Sequence, residues 1–279
     1  MDGAVVVLYN PEVGDYYNIA GYAGKVDITY IIDNSKGSNL SAVEKVLNID
    51  GKQVIYEHHP ENIGLCKGMN IGIKKLQELG CKWVFTMNSD SYFKNDVISI
   101  FRKYVEDNNC SDVAMLVPLY NFDRHVVETY HGTKEIKRVM MSGNYLNINI
   151  FQKLGGFLEV LFVDGLDNDY CIRCGQKGYK IVECGEAIME HMPCKTAEFS
   201  FLGYKFKYGY DSPKRYYGHA RALAFLTRRY KTPYEIAFFI YKFLKIIFLF
   251  DNKKEYLKAY IDGARDGFRA EKLNRNDKK

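Results

Sequence analysis

The sequence predicts an α/β protein in which helices cover both faces of a mostly parallel β-sheet. Through the first two thirds of the chain, short β-rich apolar runs alternate with stretches of helical spacing. The runs are apolar almost without interruption, which is typical of strands buried on both faces. With 279 residues and 47% hydrophobic composition, the chain can bury a sizeable core, which excludes an intrinsically disordered protein.

Five strands and two helices account for this alternation. The strands are predicted at residues 5–8, 28–32, 54–56, 83–87 and 113–116, and the helices at 63–79 and 97–106. In parallel sheets of this kind, ligands bind at the carboxyl ends of the strands. The polar residues that directly follow each apolar run are therefore the candidates for a functional site.

The C-terminal part of the chain is predicted to be helical. Residues 215–230 are basic and aromatic, and Pro233 suits the first turn of a following helix, which is mostly apolar at residues 235–250. We therefore expect an α/β domain at residues 1–210, a helical region at 211–273 and a disordered tail at 274–279.

Charge is distributed unevenly along the chain. Residues 201–279 carry 19 Lys and Arg against 8 Asp and Glu, whereas the first 200 residues carry 20 against 26. An acidic body suits a metal site, and a basic C-terminal region favours an anionic surface as partner. We expect no nucleic-acid partner.

The cysteines favour a reducing compartment. Their number, seven, is odd, and no secretory signal precedes the first predicted strand, so we expect a cytoplasmic protein. Cys171 and Cys174 form a C-x-x-C pair, with Cys184 and Cys194 further along, but the second tight pair of a zinc ribbon is missing. Cys171 falls on the apolar side of a predicted helix, which favours plain core thiols over a zinc or redox site.

Polar clusters follow the predicted strands. They lie at residues 9–11, 33–38 and 88–91, and a later cluster at 162–170 contains three aspartates. Any one of them could be an ordinary turn, because turns use Asp, Asn, Ser and Gly. Their common position at one edge of one sheet favours a functional site.

The order and spacing of these segments resemble glycosyltransferase family 2, whose members have the glycosyltransferase A-type (GT-A) fold. The closest resemblance is to bacterial rhamnosyltransferases and other enzymes of cell-wall and cell-surface polysaccharides. The matching segments are residues 5–11, 32–35, 62–64 with Gly68 and Asn70, 87–91, 155–157, 164–173, 178–179 and His191. The resemblance implies an inverting enzyme that moves a sugar from a UDP- or dTDP-sugar onto an acceptor hydroxyl, in polysaccharide or glycolipid assembly.

The resemblance also implies a Mn²⁺ or Mg²⁺ cofactor. A divalent cation offsets the charge that builds on the leaving diphosphate. The family's D-x-D motif corresponds to Asn88, Ser89 and Asp90, so that the first aspartate is replaced by Asn88. Asp90 is expected to bind the metal, with His191 as the second ligand. Taken alone, His191 would as well be a structural histidine.

Asp167 is expected to be the general base. The family's base lies in an E-D-x-D-like segment at a helix start, which corresponds here to residues 166–169. Such a carboxylate can take the proton of the acceptor hydroxyl, and the helix N-terminus would stabilise its charged form. The alternative is that Asp167 only caps the helix. Asp164 and Asp169 are expected to orient the acceptor or to position Asp167.

The remaining expected site residues surround the nucleotide-sugar. They are Tyr9, Asn10, Asp33, Ser35, Asn62, Gly64, Lys67, Asn88, Ser89, Asp90, Ser142, Gly143 and Gly156. Asp33 is expected to accept a hydrogen bond from the nucleotide base. Lys67 either faces phosphate or lies on a solvated helix face.

Two other functions fit parts of the sequence. A nucleotidyltransferase would need a glycine-rich phosphate loop near the first strand, whereas residues 9–15 contain only Gly14. A catalytically inactive binding subunit would explain Asn88, but the presence of Asp167 and His191 argues against it.

The apolar C-terminal stretch has two interpretations. It covers about 16 residues, fewer than the roughly 20 needed to cross a bilayer, and Lys242 and Lys245 would be costly at its centre. A helix lying on the inner face of the cell membrane, with Lys and Arg meeting anionic lipid and the aromatic residues inserted, would bring the enzyme to a glycan or lipid-linked acceptor. Alternatively, this face packs on the catalytic domain or forms a homodimer.

Overall fold

The computed structural model describes residues 1–47, 53–123, 126–191, 194–201 and 204–276. By their internal contacts they form two compact units. The first unit is Met1–Phe162 with Leu166–Met192, and the second is Val163–Gly165 with Pro193–Lys279.

The first unit has alternating strands and helices. The strands are β1 (Asp2–Leu8), β2 (Ile28–Asp33), β3 (Gln53–His58), β4 (Trp83–Asn88), β5 (Tyr92–Phe93), β6 (Val113–Asn121), β7 (Thr133–Ile136), β8 (Asn144–Asn147) and β9 (Lys180–Glu190). The helices are α1 (Val13–Ala23), α2 (Leu40–Val46), α3 (Leu65–Glu78), α4 (Val97–Asp107), α5 (Ile148–Lys153) and α6 (Leu166–Gln176), with a 3₁₀ turn at Glu159–Leu161.

These strands form one mostly parallel sheet. Its order is β3-β2-β1-β4-β8-β6-β9-β5, with β7 also paired to β9. Strands β1 to β4 run parallel to one another, and β6 runs parallel to β9. Because β8 lies antiparallel between β4 and β6, all six long strands point in the same direction. The predicted fold class is confirmed.

Helices cover both faces of this sheet. Ala4, Val6 and Leu8 of β1 belong to a core that also contains residues of α1 and α4. The alternate residue Val5 points to the opposite face, where α3 approaches so closely that a Cβ at Gly72 would lie 2.3 Å from Val5 Cγ2. The near-continuous burial of β1 follows from this two-sided cover.

The second unit is a β-hairpin with three helices. Its elements are β10 (Lys195–Phe201), β11 (Tyr204–Tyr210), α7 (Pro213–Tyr230), α8 (Pro233–Leu249) and α9 (Lys253–Asn276). Ser212 and Thr232 cap α7 and α8, and each helix has proline in its first turn, as predicted for Pro233. Gly263 and Gly267 let α9 pack tightly on α7. A Cβ at Gly263 would lie 2.2 Å from Tyr217 O, and one at Gly267 would lie 2.1 Å from Arg221 O.

The chain divides differently from the predicted domains. The hairpin at 195–210 groups with the C-terminal helices because it pairs with no strand of the large sheet. Helix α9 includes residues 274–276, which the composition assigns to a disordered tail. These last turns are rich in Glu, Lys, Leu and Arg, which are good helix formers. Residues 277–279 lie outside the described part of the chain.

Candidate active site

The loops after β1, β2 and β3 are joined at the carboxyl edge of the sheet. The Asn10 N–H donates to Ser35 Oγ at 2.8 Å, and the Asn34 N–H donates to Leu8 O at 2.8 Å. The Asn34 side-chain amide also donates to Gly64 O at 3.3 Å. Asn10, Ser35 and Gly64, which the sequence assigns to the donor site, are therefore brought together.

Asp33 lies beneath these loops and accepts hydrogen bonds from several protein donors. Its carboxylate is 0% exposed and accepts from Ser35 N at 2.9 Å, Asn39 N at 3.0 Å and Asn39 Nδ2 at 2.9 Å, and from the Tyr56 hydroxyl. Burial acts to raise the pKa of Asp33, but the hydrogen bonds outweigh it and lower the pKa below its ordinary value. Asp33 therefore organises the loop after β2, and its hydrogen bond to a nucleotide base stays a prediction.

The segment 62–64 requires glycine at its end. Gly64 has φ of +85°, its N–H donates to Asn62 Oδ1 at 2.9 Å, and a Cβ there would lie 2.6 Å from Phe162 Cδ2. Lys67 is exposed in the first turn of α3. Tyr9 is also exposed, at the end of β1.

The segment 88–90 lies beside Ser142 and Gly143. The Asn88 N–H donates to Ser142 Oγ at 2.9 Å, and the Asn18 side chain donates to Ser89 O at 3.1 Å. Gly143 has φ of +81°, and a Cβ there would lie 2.1 Å from Met189 Sδ. Close approach of the backbone therefore requires glycine at position 143.

Asp90 and His191 form the candidate metal site. Asp90 Oδ1 lies 3.8 Å from His191 Nδ1, and Ser91 Oγ lies 3.0 Å from the former and 2.7 Å from the latter. His191 is only 7% exposed, and burial lowers its pKa although Asp90 acts to raise it. A neutral imidazole is the form that binds metals.

This pair fits a Mg²⁺ or Mn²⁺ ion that is completed by substrate. Such ions are held by one or two carboxylates plus substrate phosphates, with bonds of about 2.0–2.1 Å for Mg²⁺, so one ion could contact both side chains. Within the described residues, no three or more His, Cys, Asp and Glu side chains are grouped so that they could hold a metal ion. The protein thus supplies too few ligands for a closed structural metal site at this position.

Asp167 lies in the first turn of α6 and is half-buried. The Asn168 N–H donates to Asp167 Oδ1 at 2.8 Å. Burial raises the pKa values of Tyr120 and Cys171. The negative charge of Asp167, which lies near both, raises them further. A carboxylate at this helix start can accept a proton.

Asp169 and Asp164 each have an arginine partner. Asp169 is buried and pairs with Arg173 at 2.6 and 2.8 Å, and Arg173 also donates to Leu154 O at 2.7 Å. Asp164 belongs to the second unit, where Arg215 donates to it at 2.8 Å. Burial raises the pKa of Asp164 against the effect of Arg215 and Lys242. These ion pairs hold both carboxylates in place, and their roles in orienting the acceptor or positioning Asp167 stay predictions.

Gly156 lies in a loop held by α3. Its φ is +71°, and the neighbouring Phe157 exchanges two 2.9 Å hydrogen bonds with the side chain of Asn70. A Cβ at Gly156 would lie 3.0 Å from Asn70 Oδ1, so the glycine permits this contact.

A cavity of about 490 Å³ adjoins the residues around Asp167. Its lining is mainly aromatic and aliphatic: Leu119, Tyr120, Phe122, Val126, Val127, Glu128, Tyr130, Lys134, Ile136, Arg138, Val139, Met140 and Glu183. The thiol of Cys171, one turn after Asp167 on α6, lies 3.9 Å from Val139 O. The Tyr120 hydroxyl lies 2.8 Å from Ser142 O. The cavity walls therefore contact both the helix of Asp167 and the segment at 142–143.

The cysteines are core thiols, as predicted. Cys171, Cys174 and Cys184 are buried and free. Burial raises the pKa of Cys174 and of Cys184 to about 12 each, which keeps both thiols protonated. Cys194 is half-buried.

With this geometry, the family of the chain can be established by comparison. Residues 18–165 match the family model "Glycosyl transferase family 2", which covers more than half of the chain. The chain belongs to glycosyl transferase family 2. It is therefore a glycosyltransferase, and the alternative of a nucleotidyltransferase is not supported.

Individual proteins are similar to this chain in sequence or in fold. The dTDP-rhamnosyl transferase RfbF of Shigella flexneri is 25% identical over 287 residues, which cover 95% of each chain. TarS of S. aureus, residues 1–349 in complex with UDP-GlcNAc, superposes with a TM-score of 0.57 at 12% identity, covering 99% of this chain and 92% of that one. GalNAc-T7 with UDP, GalNAc and Mn²⁺ superposes with a TM-score of 0.63 at 10% identity, covering 96% of this chain but only 56% of that longer chain. These structures confirm the GT-A fold.

Proposed function

We propose that this family 2 enzyme is an inverting, metal-dependent rhamnosyltransferase. It would transfer rhamnose from dTDP-rhamnose to a hydroxyl of a glycan or lipid-linked acceptor in polysaccharide assembly. The observation that supports the mechanism is the position of Tyr120 near both groups. Its ring centroid is 6.5 Å from that of His191. Its pKa is raised by burial, and the charges of Cys171 and Asp167 add to the increase. The name of the Shigella relative supports the donor.

The chain's own side chains supply binding and proton transfer. Asp90 and His191 would hold Mn²⁺ or Mg²⁺, whose charge would stabilise the leaving diphosphate. Asp167 takes the proton of the acceptor hydroxyl as its oxygen forms the new bond to the anomeric carbon. The bond from that carbon to the diphosphate breaks on the opposite face, and direct displacement of this kind inverts the configuration.

The cavity of about 490 Å³ is our candidate for the acceptor site. Its volume is in the range of small-molecule sites, and its aromatic rings can contact the C–H faces of a sugar. Its position beside the helix of Asp167 would put an acceptor hydroxyl near the base.

The second unit carries a surface that supports membrane association. Ile236, Ile240, Leu244 and Phe248 are all exposed, and their spacing of four residues places them on one face of α8. No described helix is both long and apolar enough to cross a bilayer. We propose that this face inserts into the headgroup layer on the inner side of the cell membrane.

The lysines of α8 point away from that face. Lys245 Nζ donates to Gly209 O within the second unit. Lys242 lies over the rings of Tyr216 and Phe238 at 5.4 and 5.5 Å. The expectation that these two lysines meet anionic lipid is therefore wrong, because both are turned toward the body of the unit and leave the apolar face uninterrupted.

Thermal stabilisation by nucleotide-sugars tests the proposed donor. A ligand that binds only the native state at 100 times its Kd adds about 2.7 kcal/mol to the free energy of unfolding. We expect dTDP-rhamnose with Mn²⁺ to raise the Tm more than UDP- or GDP-sugars do. A larger shift with another nucleotide-sugar would reassign the donor, and no shift with any of them would contradict the proposed function.

A further inference from the structure

The hairpin of the second unit has one aromatic face. Along β11, aromatic residues alternate with Lys or Gly, and the aromatic residues are Tyr204, Phe206, Tyr208 and Tyr210. Alternate side chains of a strand share a face, so these four rings lie on one side, at intervals of about 6.8 Å. Tyr204 and Phe206 are 72% and 54% exposed. Two neighbouring exposed rings on one face are typical of a binding surface.

One end of this aromatic face opens into a cavity of about 280 Å³. The cavity is lined by Ala197, Tyr208, Tyr210, Phe250, Asp251, Asn252 and Tyr256. All seven residues belong to the second unit.

The rings in this cavity are fixed by the protein. Phe250 packs against Tyr208 and Tyr256 with ring centroids 6.0 and 4.5 Å apart. The Tyr208 hydroxyl donates to Leu249 O at 2.8 Å, and the Tyr256 hydroxyl donates to Asp211 O at 2.7 Å. The cavity is therefore preformed, which lowers the entropic cost of binding.

Three polar groups in the lining remain available to a ligand. Among the described residues, none forms a hydrogen bond with the side chains of Asp251 and Asn252 or with the Tyr210 hydroxyl. Asp251 and Asn252 are both exposed at the start of α9. A carboxylate accepts hydrogen bonds, whereas an amide and a phenol both donate and accept.

We propose that this cavity and the aromatic face form a second saccharide-binding site, which binds the acceptor glycan in addition to the candidate acceptor cavity of the first unit. A pyranose ring offers apolar C–H faces to aromatic rings and hydroxyl groups to carboxylates and amides. The volume lies just below the roughly 300 Å³ at which drug-sized sites begin, so it suits one sugar ring, with further sugars along Phe206 and Tyr204. The inference rests on the proposed function, since it assumes a glycan acceptor.

Binding of simple glycosides to the full-length protein tests this site. We would titrate methyl rhamnoside, methyl glucoside, methyl galactoside and methyl N-acetylglucosaminide by calorimetry and by saturation-transfer NMR, without donor or metal. At least one should bind, and Asp251→Ala should weaken it about tenfold or more, because a hydrogen bond to a charged group is lost. Tyr210→Phe should weaken it less. The matched control is Glu198→Ala, an exposed acid on the opposite face of the hairpin, which should bind as the wild type does.

The possible outcomes distinguish a failure of this saccharide-binding site from a failure of the proposed function. Equal binding by wild type and Asp251→Ala overturns the proposal, and so does binding of phosphatidylglycerol vesicles through Tyr204 and Phe206 with no glycoside binding. Because no donor is present, a chain that binds glycosides through Asp251 but transfers no sugar would contradict only the proposed function. A chain that hydrolyses dTDP-rhamnose but binds no glycoside would contradict only this inference.

Discussion

The acidic residues of the candidate site differ in what holds them. Asp33 and Asp169 are buried and satisfied by protein donors, whereas Asp90 is exposed and Asp167 half-buried. Motif spacing assigns all four aspartates to one site. It does not show which of them is hydrogen-bonded by other protein groups, because such partners can be distant in sequence, as Tyr56 is from Asp33. The partner of Asp169 is an exception, since an acid four residues before an arginine on a helix indicates an ion pair.

Replacing Asp167 by asparagine should separate chemistry from binding. The amide keeps the shape of the side chain but cannot take a proton, so we expect kcat for sugar transfer to fall by about 10²-fold or more. The Tm increase caused by the donor should be retained. Asp107→Asn, at an exposed position of α4, is the control and should keep the wild-type kcat. Wild-type turnover in Asp167→Asn would remove this residue from the mechanism.

Asp33 should make the free energy of unfolding depend on pH in the acidic range. Its pKa in the folded state is lowered below the unfolded value of about 3.9, so its contribution is present above that pH and is lost as the pH falls through the folded pKa. Asp33→Asn should therefore lower the free energy of unfolding at pH 7, and the deficit relative to wild type should shrink below about pH 3.9. Urea denaturation across pH measures this difference. A deficit that stays constant down to pH 2 would contradict the assignment.

At the scale of elements, two helical glycines offer a matched pair. Alanine raises helix propensity by about 1 kcal/mol over glycine, so Gly21→Ala in α1, with open space around it, should stabilise the protein by up to that amount. Gly72→Ala in α3 should instead destabilise it by about 1–3 kcal/mol, because the new Cβ would meet Val5. Opposite signs by urea denaturation are expected. Equal stabilisation by both would mean that α3 is not in close contact with β1.

The strands that sequence patterns predict are the long ones. β1, β2, β4 and β6 are six to nine residues of mostly buried apolar residues. The strands missed in the sheet include β5, β7 and β8, whose two to four residues are too short for a periodic signal. The eleven-residue β9 is also missed, because Glu183, Gly185 and Glu186 interrupt its apolar residues. Ser142 and Gly143 nevertheless fall at the site because β8, which follows them, pairs with β4.

For the whole molecule, composition indicates that the C-terminal region is basic, but not which way its charged side chains point. The basic balance after residue 200 favours an anionic partner, yet Lys242 and Lys245 lie inside the second unit. Which face of α8 is exposed depends on its packing within that unit. No pattern within the helix itself supplies this information.

Membrane association should depend on the exposed face of α8. Ile240→Asp with Leu244→Asp should abolish flotation of the full-length protein with phosphatidylglycerol liposomes, because charges in the apolar region are costly. Leu79→Asp, which alters an exposed leucine of the first unit, should float as the wild type does. Flotation that is unchanged in the α8 variant would contradict membrane insertion. A concentration-dependent dimer that the same variant dissociates would assign the face to self-association instead.

Metal-dependent release of nucleoside diphosphate tests the proposed mechanism most directly. With dTDP-rhamnose, a glycan acceptor and Mn²⁺, the protein should release dTDP, and excess EDTA should abolish the release. Asp90→Ala should raise the Mn²⁺ concentration for half-maximal activity by about tenfold or more, whereas Asp96→Ala, an exposed acid nearby in sequence, should leave it unchanged. Full dTDP release in excess EDTA, or an Mn²⁺ requirement in Asp90→Ala equal to that of the wild type, would contradict the metal site.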